Sequence, residues 1–125
     1  MKQHILVVDD ETPIRELLNS YLTKHGYQVT TAAEAQEALR LVNETPLNLV
    51  ILDVLLPDTD GLEVLEKMKS THPALPIIIM TGIGFDEDLL QEAIQKGASG
   101  YVSKTLPLDQ LLMEVHRTLK FTAGR

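Results

Sequence analysis

The chain has 125 residues, of which 44% are apolar and 23% charged, the size and composition of one soluble globular domain rather than of two domains or a disordered segment. It contains no cysteine, which removes disulfides, thiolate metal sites and cysteine nucleophiles, and its net charge of −7 argues against direct nucleic-acid binding. The opening MKQHILVVDDE is too short and too acidic for a signal peptide, and no uncharged apolar stretch reaches the roughly 18 residues of a membrane span; a soluble, cytoplasmic protein with no membrane association is expected.

In chain order, the first apolar run, Ile5 to Val8, reads as a strand that stops in Asp9, Asp10 and Glu11. Ile14, Leu17, Leu18, Tyr21 and Leu22 then form one helical stripe, with Thr12 and Pro13 as N-cap and first-turn residue and His25-Gly26 as its close. YQVTT at 27–31 alternates and predicts an edge strand, whereas the continuous runs Leu49 to Leu52 and Ile77 to Met80 predict strands buried on both faces. Tyr101 and Val102 make a weaker fifth. Between these lie helices marked by Ala35, Ala38, Leu39 and Val42, ending before Pro46; by Leu62, Leu65 and Met68, ending before Pro73; and by Leu89, Leu90, Ala93 and Ile94, stopping at Gly97. A last helix, carrying Leu108, Leu111, Leu112, Val115 and Leu119, begins near Pro107.

Strand then helix, five times with short loops, implies right-handed crossovers and a three-layer α/β fold. The expected organisation is one domain over residues 1–121, with 122–125 as a tail or the start of a linker. In an open α/β sheet, ligands bind outside the carboxyl ends of the strands. There the sequence places Asp9, Asp10 and Glu11, Asp53, Thr81 and Gly82, and Ser103 and Lys104. If the first and third strands are neighbours, three aspartates converge beside a hydroxyl and an ammonium. Carboxylates so close repel, and apolar surroundings raise that cost. A hard divalent cation, with Lys104 as a fixed second charge, is the natural offset.

Taken singly, each residue has a plainer reading. Asp53 or Asp10 is a turn residue or cap, Thr81 a turn hydroxyl, Lys104 a solvated charge, Tyr101 part of a packed edge, and Pro57 and Gly61 turn and helix-start residues. The four histidines, His4, His25, His72 and His116, show no ligand spacing. What raises the site above these readings is that all its groups fall at strand ends on one side of the sheet.

Through VVDDETPIR, LDVLLPDTDG, MTG and YVSK, in that order and separation, the chain resembles the receiver domains of two-component response regulators over essentially its whole length. The resemblance implies a flavodoxin-like doubly wound (βα)5 fold with a parallel sheet in the order 2-1-3-4-5. It implies that Asp53 accepts a phosphoryl group from a phosphohistidine of a sensor histidine kinase or a histidine phosphotransfer protein. It further implies Mg²⁺, or Mn²⁺, held directly by Asp10, Asp53 and the backbone carbonyl of Leu55, and by Asp9 through water. Thr81 matches the hydroxyl that bonds the phosphoryl group, Lys104 the cation that pairs with it, and Tyr101 the aromatic switch residue. The protein would then be a signalling switch rather than an enzyme, assisting only its own phosphorylation and dephosphorylation. An output domain or target protein would read the face made by the fourth helix, fifth strand and fifth helix; a phosphorylation-dependent homodimer through that face fits the sequence without being required by it.

The sequence has three points of departure from the family pattern. Thr105 follows Lys104 where proline is usual, and since a cis non-proline bond costs about 2.5–4 kcal/mol, a trans bond is expected. Leu56 and Thr59 stand where methionine is common. Leu55, Gly82 and Ile83 stand where the family tunes dephosphorylation, and an apolar Leu55 cannot align an attacking water, so a long-lived phosphoaspartate is expected. Three rivals compete with this reading. A phosphatase of the haloacid dehalogenase type needs an acid where Leu55 stands, and a flavin carrier needs a phosphate loop where Asp9, Asp10 and Glu11 stand. The third is a receiver-shaped module that works by binding alone.

Overall fold

The computed structural model describes residues 2–82, 86–105 and 107–123. Five strands alternate with five helices: β1 (His4–Val8), α1 (Thr12–Lys24), β2 (Gln28–Ala32), α2 (Ala35–Glu44), β3 (Leu49–Asp53), α3 (Gly61–Thr71), β4 (Ile77–Thr81), α4 (Glu87–Gln95), β5 (Gly100–Ser103) and α5 (Leu108–Ala123). All strand pairs are parallel, in the order β2-β1-β3-β4-β5. This is the flavodoxin-like doubly wound fold.

Strand alternation divides the apolar runs between two cores. Leu6, Val8, Val50, Leu52, Ile77 and Ile79 face α2, α3 and α4, where they meet Ala38, Val42, Leu65, Met68 and Ala93. Ile5, Val7, Leu49, Ile51, Ile78, Met80 and Val102 face α1 and α5, where they meet Leu18, Leu22, Leu111 and Val115. Every residue of β3 and β4 is buried, as continuous apolar runs require of a sheet covered on both sides. Each fully buried Leu, Ile or Val stabilises by about 1.5–3 kcal/mol relative to exposure. β2 lies at the edge as expected, but its alternation is damped: Val29, Thr30 and Thr31 are all half-buried, because helices shield both faces.

Two helix starts differ from simple sequence rules. The N-cap of α1 is Glu11, not the expected Thr12. Glu11 holds extended backbone (φ −87, ψ 112) and Pro13 sits in the first turn, while the Thr12 hydroxyl accepts instead from the Arg15 guanidinium at 3.1 Å. At α2 the cap arrives from elsewhere in the chain: Glu34 makes no side-chain cap, and Asp58 accepts from the backbone N–H groups of Ala35 (3.0 Å) and Gln36 (3.1 Å). Two other ends are closed locally. Asp60 caps α3 by accepting from Leu62 N–H at 2.9 Å, and Gly26, at φ +96, takes the left-handed conformation that stops α1.

Among the described residues there is no cis peptide bond, so Lys104-Thr105 is trans, as its sequence predicts. No helix of the described residues is long and apolar enough to cross a membrane.

Candidate functional site

β1, β3, β4 and β5 end together, and their last residues form the site. β3 pairs with β1 on one side and β4 on the other, so the acids after Val8 stand beside Asp53. Asp53 ends β3 at 1% exposure and Asp9 is fully buried. Asp10 is exposed. One oxygen from each of Asp9, Asp10 and Asp53 lies within 4.8 Å of the others.

The Lys104 ammonium closes the cluster. Its Nζ lies 2.9 Å from Asp53 Oδ2, 2.9 Å from Asp9 Oδ2 and 2.7 Å from Glu11 Oε1. Its backbone N–H donates to the Thr81 carbonyl at 2.8 Å, which ties the end of β5 to the end of β4 and fixes where the lysine starts. Asp53 Oδ1 accepts from Leu55 N–H at 3.1 Å. Asp9 is held from several directions: its N–H donates to the Ala32 carbonyl at 3.0 Å, Oδ1 accepts from Glu11 N–H at 2.8 Å, and its carbonyl accepts from the Arg15 guanidinium at 2.6 Å. The contact of Asp9 Oδ2 with Lys104 is one of charge without hydrogen-bond alignment, so this buried oxygen has no directed partner.

Burial pushes the Asp53 carboxyl above its ordinary range; the Lys104 and Leu55 hydrogen bonds pull it back, and the neighbouring Asp9 charge adds to the rise. For Lys104, burial works against the ammonium, but its contacts with the Glu11, Asp9 and Asp53 carboxylates outweigh it and raise its pKa. The site therefore holds a carboxylate that resists ionisation beside a cation that does not give up its proton. A set of hard oxygens with one buried and undirected suits a small divalent cation such as Mg²⁺ or Mn²⁺.

Gly61, read from sequence as a helix-start residue, carries a specific demand. A Cβ there would stand 2.4 Å from the Asp53 carbonyl oxygen and 2.5 Å from Val54 Cα, so α3 packs directly on the backbone that carries Asp53. Thr81 is fully buried at the end of β4. Register pairs Ile79 with Tyr101 and Thr81 with Ser103, so Thr81 and Tyr101 project to the same face of the sheet, towards α3 and α4. Tyr101 packs against that core and its hydroxyl is buried; burial and the nearby Asp86 charge raise the phenol pKa. The Leu55 side chain is 60% exposed. Ile83 lies outside the described residues.

Each histidine is occupied locally. His4 bonds the Thr30 hydroxyl at 2.7 Å and His72 the Thr71 hydroxyl at 2.8 Å, while His25 and His116 lie against the rings of Tyr21 and Tyr27. Two contacts were not evident from sequence. Glu11 contacts a residue distant in sequence, and Asp58 reaches α2 from the loop after β3; neither has a local signature beyond being acidic.

With this geometry in place, comparison with known proteins fixes the family. Residues 5–116 match the response regulator receiver domain, and the chain belongs to that family. It is 38% identical over 119 residues to the sporulation initiation phosphotransferase F of Bacillus subtilis, covering 95% of each chain. It is 37% identical over 120 residues to a putative NtrX-like response regulator of Rickettsia typhi, covering 94% of this chain and 25% of that protein. The chain thus spans nearly all of the first relative and a quarter of the second. Among solved structures, a CheY-like receiver domain protein of Methanospirillum hungatei superposes with a TM-score of 0.94 at 31% identity, covering 99% of this chain and 98% of that one. The receiver domain of NtrX from Brucella abortus gives 0.87 at 36% identity, covering 93% and 98%. Membership assigns the protein a phosphorylation-dependent signalling role, as a phosphoacceptor domain of two-component systems.

Proposed function

We propose that Asp53 is the phosphoacceptor and that Asp9, Asp10, Thr81 and Lys104 are the groups that make its phosphorylation fast and its product legible. The observation that carries this reading is the Lys104 ammonium 2.9 Å from a carboxylate oxygen of Asp53, with Asp53 buried at a strand end. In transfer from a phosphohistidine of a sensor kinase or a phosphotransfer protein, an Asp53 oxygen attacks phosphorus. The P–N bond breaks and its electron pair returns to the imidazole, which regains neutrality on taking up a proton. Asp53 needs no general base, because as the ionised carboxylate it is the nucleophile.

Asp9, Asp10, Asp53 and the Leu55 carbonyl would hold Mg²⁺ or Mn²⁺, and the bound ion supplies neutralising charge to the phosphoryl oxygens. Phosphoryl transfer asks the protein mainly for positioning and charge stabilisation. Lys104 holds the carboxylate before transfer and pairs with a phosphoryl oxygen afterwards, while the Thr81 hydroxyl bonds another. The product carries close to two negative charges and three strong acceptors, by analogy with phosphorylated hydroxyl residues.

Thr81 sits on the same face as Tyr101, so a pull on Thr81 is felt where Tyr101 packs. Because the ring is already turned in, phosphorylation would shift a population rather than create a new state. The surface of α4, β5 and α5 would carry that shift to an output domain or target protein. Exposed Ile94 on α4 and Met113 on α5 give this surface the apolar contacts a partner needs.

The test is intact-protein mass after incubation with acetyl phosphate, with Mg²⁺ and with a chelator, for the parent and for Asp53→Asn. One added phosphoryl mass in the parent with Mg²⁺ only, persisting for minutes or longer because Leu55 aligns no water, is the expected result. Absence of the gain with acetyl phosphate and with phosphohistidine donors alike would favour the module that works by binding alone.

A further inference from the structure

We infer that Glu11 is a positioning residue for Lys104: a releasable third partner that gives back one ammonium N–H when a phosphoryl group arrives on Asp53. The inference rests on the reading of Asp53 as phosphoacceptor. An ammonium has three N–H donors and no acceptor. Lys104 Nζ has three carboxylate neighbours, Glu11 at 2.7 Å and Asp9 and Asp53 each at 2.9 Å, and its side chain is only 11% exposed. Two of its donors are therefore committed, to Glu11 and Asp53, and the third is held among the same carboxylates by the Asp9 charge, before any phosphoryl group is present.

A phosphoryl group on Asp53 adds acceptors beside the same nitrogen. Something must yield. Asp9 is fully buried, and parting a buried carboxylate from its cation strands a charge away from water. The Glu11 side chain is 58% exposed, so water takes over the carboxylate as soon as Lys104 leaves it. Beyond the Asp53 oxygen, whose charge the transfer itself removes, Glu11 is the partner that can be given up.

Helix α1 supplies a second, independent reason. Glu11 occupies its N-cap, where Ser, Thr, Asp or Asn would accept from the first-turn N–H groups, yet the Glu11 side chain makes no cap hydrogen bond. Its carboxylate is turned across the strand ends to a residue 93 positions away. A local rule broken at a site, with the side chain spent on a remote partner, is the mark of a role other than helix stability.

The exchange balances without electron transfer. The donor's bond to phosphorus breaks, a P–O bond to Asp53 forms, the leaving atom keeps the bonding pair, and Lys104 keeps its proton while trading the Glu11 oxygen for a phosphoryl oxygen. Glu11 touches neither phosphorus nor donor. It acts through Lys104, as competition for the cation that stabilises the product.

The experiment compares the parent, Glu11→Gln and Glu11→Asp by phosphorylation rate with acetyl phosphate at saturating Mg²⁺, by melting temperature, and by solvent exchange of the Lys104 ammonium protons in nuclear magnetic resonance. Glu11→Gln removes the charge; Glu11→Asp keeps it but shortens the reach and can cap α1. Loss of a partly exposed ion pair is expected to speed phosphorylation about two- to five-fold, equally in both variants, with faster ammonium proton exchange in both and a higher melting temperature in Glu11→Asp alone. Rates in Glu11→Asp equal to the parent would mean that the charge acts through space on the anionic donor and would overturn the contact-based role. Three equal rates in a parent that does accept phosphoryl would overturn the inference alone, and a parent that accepts none would overturn it together with the reading of Asp53.

Discussion

Asp53 and Asp58 bracket one loop and are opposites. Asp53 is buried at the end of β3, and desolvation raises its pKa above the ordinary 3.8. Asp58 is exposed at the crest, and the N–H groups at the start of α2 hold its pKa below the same value. A raised carboxyl pKa opposes folding once the group is ionised, whereas a lowered one favours it. The loop thus combines a carboxylate kept where stability would not put it with one that braces the structure around it. The difference separates function from support: the aspartate that weakens the fold is the one proposed as phosphoacceptor.

The largest expected effect comes from removing the cation that makes the buried acid tolerable. Lys104→Met leaves Asp53 and Asp9 buried without their shared partner, and should destabilise by on the order of 3 kcal/mol, read as a lower urea midpoint at unchanged slope. Stability equal to the parent would mean that water or neighbouring dipoles, not Lys104, hold the acids. Next comes the floor beneath Asp53. In Gly61→Ala the new Cβ meets backbone at 2.4 Å, which must move, at about 1–3 kcal/mol, and phosphorylation should slow with it because Asp53 is displaced.

Asp53→Asn sharpens the contrast. It removes the ionised group and should raise the melting temperature by about a few degrees, while abolishing phosphorylation. The sign with pH follows: since the folded pKa is raised, the parent loses stability as pH climbs from 3.8 through the folded value. The variant's advantage should therefore grow over that window and level off above it. Asp58→Asn should do the reverse, and by less. The Asp58 contribution is present above 3.8 and is lost as pH falls through the lower folded value, so the gap between parent and variant should close in acid. Urea unfolding across pH 3 to 7 checks both.

Much of the fold was legible because burial on both faces writes itself as uninterrupted apolar runs: Leu49 to Leu52 and Ile77 to Met80 could hardly be anything but central strands. The strand-end residues Asp9, Asp53 and Thr81 stood out for a similar reason, each being a polar group interrupting such a run, and Lys104 by following the weaker fifth strand. Strand order came from the family resemblance, since short apolar segments do not name their neighbours. Tertiary use of common residue types was not legible. Asp58 reaches helix α2 across 23 residues and Glu11 reaches Lys104 across 93, and in sequence both look like acids solvating a turn. Thr12 has the residue type of a cap for α1, but Arg15 engages its hydroxyl.

One measurement tests the account most directly: transfer from a phosphorylated histidine phosphotransfer protein in Mg²⁺, followed by fragmentation of the product to locate the modification. The account predicts a single phosphoryl group on the peptide carrying Asp53, and none on any peptide of Asp53→Asn. A phosphoryl group mapped to another residue, or no transfer while Mg²⁺ is bound, would contradict it.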